Sequence, residues 1–170
     1  MFDDVRPLKG NENQFIDYIN RLEKTYNGKN KDWIKPIQRD WKNYLYWCLS
    51  FVDDKIIAFS AIQKHYMPVD TVRVLTRTWI DESFRSVEIS KRQYTPTANM
   101  LKNQLECNEI SHFKKAIITL EPKRSYHGIV YAAKRFNNRI GSNFIPQKDK
   151  IKTWPTAKPN QYQWYATMNL

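Results

Sequence analysis

The feature that most constrains the fold is a β-hairpin signal in the first half of the chain. Residues 44–51 and 56–66 are both rich in aromatic and β-branched side chains, which favour strands. The residues between the two runs include Asp53 and Asp54, whose short side chains bond to nearby backbone and favour a turn. The sequence therefore predicts two long antiparallel strands joined by a short turn.

Helix and strand patterns alternate around this hairpin. An i, i+3, i+4, i+7 spacing of apolar residues predicts a first helix over residues 11–26. A second, short helix is expected over residues 36–43, with Pro36 in its first turn, where a missing N–H is harmless. The later elements are four strands (71–80, 115–121, 143–151, 161–168) and two helices (95–107, 126–138). Residues 29–32, and the stretch from 81 to the helix start at Thr95, are expected to be loops.

This order of elements indicates an α/β (α+β) fold, with a mixed, mostly antiparallel sheet flanked by about four helices. The sequence contains no internal repeat, low-complexity tract or Gly/Ser linker, so one domain over residues 1–170 is expected. A chain of 170 residues can bury a two- or three-layer core without a structural metal ion or disulfide bonds.

The cysteines and the hydropathy pattern indicate the compartment. Cys48 and Cys107 lack the paired spacing of a zinc site or a disulfide framework, which is typical of a reducing environment. No apolar run approaches the roughly 18 residues of a membrane span, and the first ten residues lack the apolar core of a signal peptide. A cytoplasmic protein with no membrane partner is expected.

The positive charge is concentrated near the C-terminus. The chain carries a formal net charge of +11, and residues 123–158 hold nine basic side chains against one acidic side chain, Asp149. We call residues 123–158 the basic segment. Its charge favours a polyanionic partner such as nucleic acid, or an acidic protein; the alternative is a solvated face that only keeps the protein soluble. Trp154 stands between Lys152 and Pro155 in an expected loop, as a plausible contact for such a partner.

Two short motifs resemble signatures of the GNAT superfamily of N-acetyltransferases. Residues 79–86, Trp-Ile-Asp-Glu-Ser-Phe-Arg-Ser, resemble the stretch that ends the family's fourth strand. Residues 131–136, Tyr-Ala-Ala-Lys-Arg-Phe, have the spacing of the Tyr-x-x-x-Gly-Phe signature on the family's fourth helix. The hairpin falls where the family has its second and third strands, and residues 162–164 resemble its final strand. The resemblance covers nearly the whole chain in order and implies a GNAT-like sheet.

The resemblance implies an acyltransferase that uses acetyl-CoA or another acyl-CoA. In such a fold the sheet would splay open between the strand ending at Ile80 and the strand ending at Glu121, and the coenzyme would enter the V. Its pantetheine would pair with backbone near Trp79 and Ile80. Its phosphates would lie near Arg85, Ser86 and Ser90, which offer positive charge and hydrogen-bond donors.

The resemblance also implies the candidate catalytic residues. Tyr131 would protonate the departing thiolate, and Glu121, at the end of a strand, would act as base toward an unidentified acceptor. The alternative is a purely structural role, in which Tyr131 packs on the sheet and Glu121 is a solvated residue at the end of a strand.

Four further residues are candidates for binding the acceptor. Asp81 would attract a cationic amine, or would instead cap a turn. His127, beside Tyr126 at the start of the helix over residues 126–138, would reach the cleft, and Trp154 would contact the substrate from its loop. No metal site is expected, because the three histidines have no ligand spacing.

The sequence departs from the family pattern at three glycine positions. Glu88 and Ser90 stand where the family's R-x-x-G-x-G/A loop has glycines, and Arg135 replaces the glycine of the helix signature.

Two alternative functions follow from these departures. One is a catalytically degenerate GNAT-fold binding or structural module, of a kind that a phage genome would encode, using the basic segment on nucleic acid or an acidic protein. The other is a GNAT-like enzyme that modifies a nucleic-acid base. The acceptor and the oligomeric state stay open.

Overall fold

The computed structural model describes residues 3–26, 31–66, 69–89, 95–121 and 123–170. Within these residues one sheet of seven strands runs in the order β1-β2-β3-β4-β5-β7-β6. The strands are β1 (Val5–Pro7), β2 (Tyr46–Val52), β3 (Lys55–Lys64), β4 (Thr71–Ile80), β5 (Lys115–Leu120), β6 (Ile145–Ile151) and β7 (Gln163–Asn169). Neighbouring strands are antiparallel, except that β4 and β5 are parallel.

The α-helices of the described residues are α1 (Glu12–Tyr26), α2 (Lys31–Asp40), α3 (Glu82–Ile89), α4 (Thr95–Glu106) and α5 (Tyr126–Ile140). They confirm the predicted α+β class with a mixed, mostly antiparallel sheet. The hairpin prediction is also confirmed: β2 and β3 pair across a turn in which Asp53 and Asp54 have φ of 49° and 58°. Aspartate tolerates this left-handed conformation better than most residues, which explains its use at both positions.

Three local predictions were wrong. Helix α2 begins at Lys31, so Pro36 lies inside the helix rather than in its first turn. Burial of Ile34 and Ile37 against the sheet offsets the hydrogen bond that the proline cannot make. Residues 82–89 form helix α3 instead of a loop. Strand β1 was missed, because a three-residue edge strand is too short to show a periodicity.

The two faces of the sheet carry different cores. Helices α1 and α2 cover one face with a cluster rich in aromatic side chains (Phe15, Tyr18, Trp47, Phe59 and Trp79 among them). Helices α4 and α5 cover the other face with mainly aliphatic residues and alanines, plus Phe113, Phe136 and Phe144. The sheet is therefore a middle layer, and a gap within it would connect the two faces.

Strand β4 is distorted where it passes under α4. Leu75 and Arg77 have φ of 54° and 51°, in a region that side-chain-bearing residues rarely adopt, and the β3–β4 register shifts alongside them. Gln104 of α4 is fully buried and accepts a hydrogen bond from the Leu75 N–H at 2.8 Å. Its amide nitrogen donates to Cys48 Sγ at 3.4 Å. Gln104 thus ties the distorted stretch of β4 to the helix above it.

Replacing Gln104 with leucine is expected to lower the free energy of unfolding by about 1–3 kcal/mol, because the Leu75 N–H would lose its acceptor. Urea denaturation measures this loss. Gln147→Leu, on the more exposed strand β6, serves as the control and is expected to stay within about 0.5 kcal/mol of the original protein. Equal stability of the two variants would contradict the role given to Gln104.

Candidate active site

The parallel strands β4 and β5 separate partway along their length. They pair only at Thr71 with Lys115, Val72 with Ala116, and Arg73 with Ile117. Beyond Arg73 both strands continue, β4 as far as Ile80 and β5 as far as Leu120. The sheet therefore opens into a V whose vertex is at Arg73 and which widens toward the carboxyl ends of both strands.

A cavity lies on each face of the sheet at this V. The larger one, of about 650 Å³, is lined by three tryptophans, Trp33, Trp79 and Trp154, and we call it the tryptophan cavity. The smaller one, of about 380 Å³, lies beneath α5 between Gly128 and Phe136, and we call it the helix cavity. Both cavities share the same lining residues at the opening of the strands: Leu75, Thr78 and Thr119. The two cavities thus border the same three residues from opposite faces of the splayed sheet.

Three of the predicted site residues, Trp79, Glu121 and Trp154, line the tryptophan cavity. Trp79 stacks on Trp33 with ring centroids 4.7 Å apart. Glu121 directly follows β5 and is exposed. Trp154 is 39% exposed, so its ring contacts both the cavity and solvent. The structure therefore brings a carboxylate and aromatic walls together in one cleft.

Tyr131 lies at the helix cavity, on the opposite face of the sheet from Glu121. Its side chain is 49% exposed, and its hydroxyl oxygen accepts a hydrogen bond from the Arg135 guanidinium. The same guanidinium lies 4.8 Å from the centroid of the Tyr131 ring. Because a guanidinium can only donate, this contact does not use the Tyr131 hydroxyl proton.

Arg85 turns back toward the end of β4. Its Nε donates to the Ile80 carbonyl at 2.9 Å, and its guanidinium lies 4.3 Å from the centroid of the Trp79 ring. The Asp81 N–H donates to the Ile57 carbonyl on β3. Because backbone groups alternate between the two sides of a strand, the N–H and the carbonyl of Ile80 point away from β3, toward the open side of the V. Arg85 therefore binds the Ile80 carbonyl on the edge of β4 that faces the V.

The other predicted coenzyme and acceptor residues take different places. Asp81 caps α3, where its carboxylate accepts hydrogen bonds from the N–H and the hydroxyl of Ser83. Tyr126 packs on Trp164, at 5.6 Å between ring centroids, and His127 is exposed. None of these three predicted residues lines either cavity in the described structure. Ser86 is described only as a backbone position of α3, and Ser90 lies outside the described residues.

Sequence reasoning missed the most unusual charged group of the site. Arg73 lines the tryptophan cavity at the vertex of the V, and Arg77 lies on the same wall. Burial, and after it the charge of Arg77, lowers the pKa of Arg73 to about 10. The one available signal was the pattern of β4, where Arg73 interrupts an otherwise apolar start of the strand.

The described residues contain neither a metal-binding cluster nor a membrane-spanning helix. No three His, Cys, Asp or Glu side chains lie together as a metal ion would need. No described helix combines the length and the hydropathy that crossing a bilayer requires.

The fold is similar to solved acetyltransferase structures. No protein-family model matches the chain, and no curated protein matches it by sequence. A protein from Desulfovibrio desulfuricans, described as an acetyltransferase of the GNAT family, is 7% identical, covers 97% of each chain and has a TM-score of 0.56. A GNAT-family acetyltransferase from Streptococcus pneumoniae is 9% identical over 98% of each chain, with a TM-score of 0.52. An acetyltransferase from Streptococcus agalactiae is 13% identical over 98% of each chain, also with a TM-score of 0.52. At these identities it is the architecture that is shared, and the chain has the fold of the GNAT-family acetyltransferases.

Proposed function

We propose that the protein is an acyltransferase that moves an acetyl or other acyl group from acyl-CoA to an amine acceptor. The observation that carries this proposal is the pair of cavities that border the same residues where β4 and β5 separate. A donor bound on the α5 side and an acceptor bound on the tryptophan side would reach each other through the opening at Leu75, Thr78 and Thr119. Direct transfer between two bound substrates needs this arrangement.

Tyr131 and Glu121 would supply the proton transfers. The acceptor nitrogen forms a bond to the acyl carbon, and the bond between that carbon and the coenzyme sulfur breaks. Glu121, in the tryptophan cavity, would take the proton that the amine loses. Tyr131, in the helix cavity, would give its hydroxyl proton to the departing thiolate. The two groups lie on opposite faces of the sheet, so Tyr131 would lie on the side of the acyl-CoA and Glu121 on the side of the amine.

The residues that would hold the coenzyme differ from the family pattern. Helix α3 stands where the family pattern has a glycine-rich loop, and the Asp81 carboxylate accepts a hydrogen bond from an N–H of its first turn. Positive charge comes instead from Arg124, which lines the helix cavity, and from Arg135, which lies on Tyr131. We propose that these two arginines meet the coenzyme phosphates, since guanidinium groups pair well with phosphate oxygens.

Acetyl-CoA is expected to stabilise the protein against heat. A ligand that binds only the folded state stabilises it by RT ln(1 + [L]/Kd), which is about 2.7 kcal/mol at a hundredfold excess over Kd. Differential scanning fluorimetry with millimolar acetyl-CoA measures the shift. Adenosine 3′,5′-bisphosphate, which has two of the three phosphates of the coenzyme but no pantetheine, is the control and is expected to give a smaller shift. No shift with either compound would contradict the proposal.

A second candidate function is the non-catalytic module that binds nucleic acid. It is favoured by the exposure of seven of the nine basic side chains of the basic segment (Lys123, Arg124, Lys134, Arg139, Lys148, Lys150 and Lys158). Binding through these side chains would weaken steeply as salt is raised, because each neutralised phosphate releases counterions. DNA binding with this salt response, together with no response to acetyl-CoA, would favour the module over the enzyme.

A further inference from the structure

Arg73 is a half-buried cation that forms no ion pair with the described residues. It is the last β4 residue to pair with β5, and its side chain reaches the tryptophan cavity. Its Nη2 lies 3.3 Å from Thr119 Oγ1 and 3.4 Å from Gln163 Oε1, both long for hydrogen bonds. The buried Nε has no hydrogen-bond partner among the described residues, and none of their ion pairs includes Arg73.

The charge of Arg73 persists at neutral pH. Burial and the neighbouring charge of Arg77 lower the pKa of the guanidinium to about 10, which is still well above 7. His65 is neutral at pH 7, because burial and then the charge of Arg73 lower its pKa to about 4, so it neither adds to nor balances the charge of Arg73. Buried charges in proteins are ordinarily paired, so an unpaired one that faces a cavity points to a ligand.

A second group on the same cavity also lacks a partner. Thr153 is only 7% exposed, and its Oγ1 is buried without a hydrogen-bond partner in the described structure. Its side chain lines the tryptophan cavity together with Arg73. A hydroxyl can donate to an anion just as a guanidinium does. Two unsatisfied donors on one cavity indicate an anionic group between them.

We propose that Arg73 and Thr153 bind a carboxylate of the acceptor, and that the acceptor is an amino carboxylate, namely a free amino acid. This inference rests on the proposed acyltransferase function. Glu121, exposed on the same cavity, supplies the opposite charge for the ammonium group of such a molecule. A cavity of about 650 Å³ is within the range of small-molecule sites. The Trp33–Trp79 stack supplies an apolar wall for the carbon skeleton.

The site favours a carboxylate over a phosphate. Arginine matches the planar oxygens of a carboxylate with two parallel hydrogen bonds. A phosphate carries more negative charge, and Glu121 on the same cavity would oppose it. The exposed lysines of the basic segment, by contrast, suit a polymer that stays at the surface. The buried end of the cavity and the basic segment therefore select different kinds of ligand.

The first test replaces Arg73 with methionine and measures both stability and binding. An unpaired buried charge does not stabilise the fold, so Arg73→Met is expected to leave the melting temperature of the ligand-free protein unchanged or higher. Arg73→Gln gives a second variant that keeps a polar side chain of similar length. Arg39→Met, which removes an exposed arginine paired with Asp40, is the matched control. A clear fall in melting temperature for both Arg73 variants, but not for Arg39→Met, would overturn the inference by showing a structural role.

The second test measures ligand binding by thermal shift and calorimetry. The ligands are the twenty amino acids, their carboxamides, inorganic phosphate and a short DNA duplex. At least one amino acid is expected to stabilise the original protein, with its carboxamide binding at least about tenfold more weakly, since a charge-assisted hydrogen bond is lost. Both Arg73 variants are expected to bind the amino acid at least about tenfold more weakly than the original protein, and Arg39→Met is expected to bind it equally well.

Acetyl-CoA binding in the same variants separates this inference from the proposed function. The Arg73 variants are expected to keep the response to acetyl-CoA of the original protein. If acetyl-CoA binds but no amino acid does, the inference fails and the acyltransferase stands. If amino acids bind through Arg73 but acetyl-CoA does not bind, the carboxylate site stands and the acyltransferase fails. Arg73-dependent binding of phosphate or DNA that is stronger than that of any amino acid would also overturn the inference.

Discussion

Replacing Tyr131 with phenylalanine is expected to lower kcat about 10²–10⁴-fold, which is the usual contribution of a general acid. The affinity for acetyl-CoA is expected to change little, because phenylalanine keeps the ring that lines the helix cavity. Stopped-time assays of free thiol release, with saturating coenzyme, give kcat, and calorimetry gives the affinity. Loss of kcat without loss of affinity identifies an interaction that acts in the transition state.

The surroundings of Tyr131 support this expectation. The Arg135 guanidinium donates to the hydroxyl oxygen, so it orients the phenol without taking its proton. The family signature has glycine at the position of Arg135, so this contact is a feature of the present chain. At saturating coenzyme, Arg135→Met is therefore expected to lower kcat less than Tyr131→Phe, and it is also expected to weaken acetyl-CoA binding, because the proposed phosphate contact is lost.

Tyr165→Phe is the matched control for the Tyr131 experiment. Tyr165 lies on β7, and its hydroxyl donates to Asp149 at 3.4 Å, away from the helix cavity. Removing this hydroxyl is expected to leave kcat unchanged. An unaltered kcat in Tyr131→Phe, or an equal loss in both variants, would remove Tyr131 from the mechanism and weaken the case for an enzyme.

The hairpin and β4 show which parts of the fold were predictable from sequence. The run of aromatic and β-branched residues predicted β2 and β3, and the observed bounds of β4, Thr71–Ile80, are those predicted. Local patterns suffice where a strand is long and rich in β-branched and aromatic residues. They fail at α3, because the amphipathic signal of eight residues is weak and follows an acidic stretch that also favours turns.

The candidate site was less predictable, because it depends on contacts between distant residues. Trp79, Glu121 and Trp154 were predicted singly, and the structure brings them to one cavity. Arg73 was not among the predicted site residues. What makes it unusual is the end of the β4–β5 pairing beside it and the lack of an ion pair to it among the described residues. Neither property is visible in the spacing of one strand.

The charge distribution was predicted as a partner signal, and the structure divides it into two parts. The basic segment is largely exposed, as a polyanion-binding or solvated surface would be. The arginines of the tryptophan cavity come from β4 instead, outside the basic segment. A count of charges along the chain could not separate a buried cation from exposed ones, because burial depends on the packing of the whole sheet.

Replacing Phe59 with alanine is expected to lower the free energy of unfolding by about 3–5 kcal/mol, the usual loss for a fully buried phenylalanine. The Phe59 ring lies at the centre of the aromatic cluster, with ring centroids 5.5 Å from Phe15 and 5.8 Å from Trp47. The cavity left behind would remove contacts from all of these rings. Urea denaturation is expected to show a lower midpoint with an unchanged slope, which marks a loss of stability rather than a change of folded state.

The same substitution is expected to affect the site, because Phe59 supports one wall of the tryptophan cavity. Its ring lies 6.3 Å from that of Trp33, which stacks on Trp79, and Phe59 also pairs with Trp79 across β3 and β4. Phe51→Ala removes an equally buried ring that instead lies against the Arg6 guanidinium. At a temperature where both variants are folded, Phe59→Ala is expected to raise the KM for the acceptor, whereas Phe51→Ala leaves it unchanged. An equal change in both variants would show that the Trp33–Trp79 wall takes no part in acceptor binding, since only one of the two substitutions reaches it.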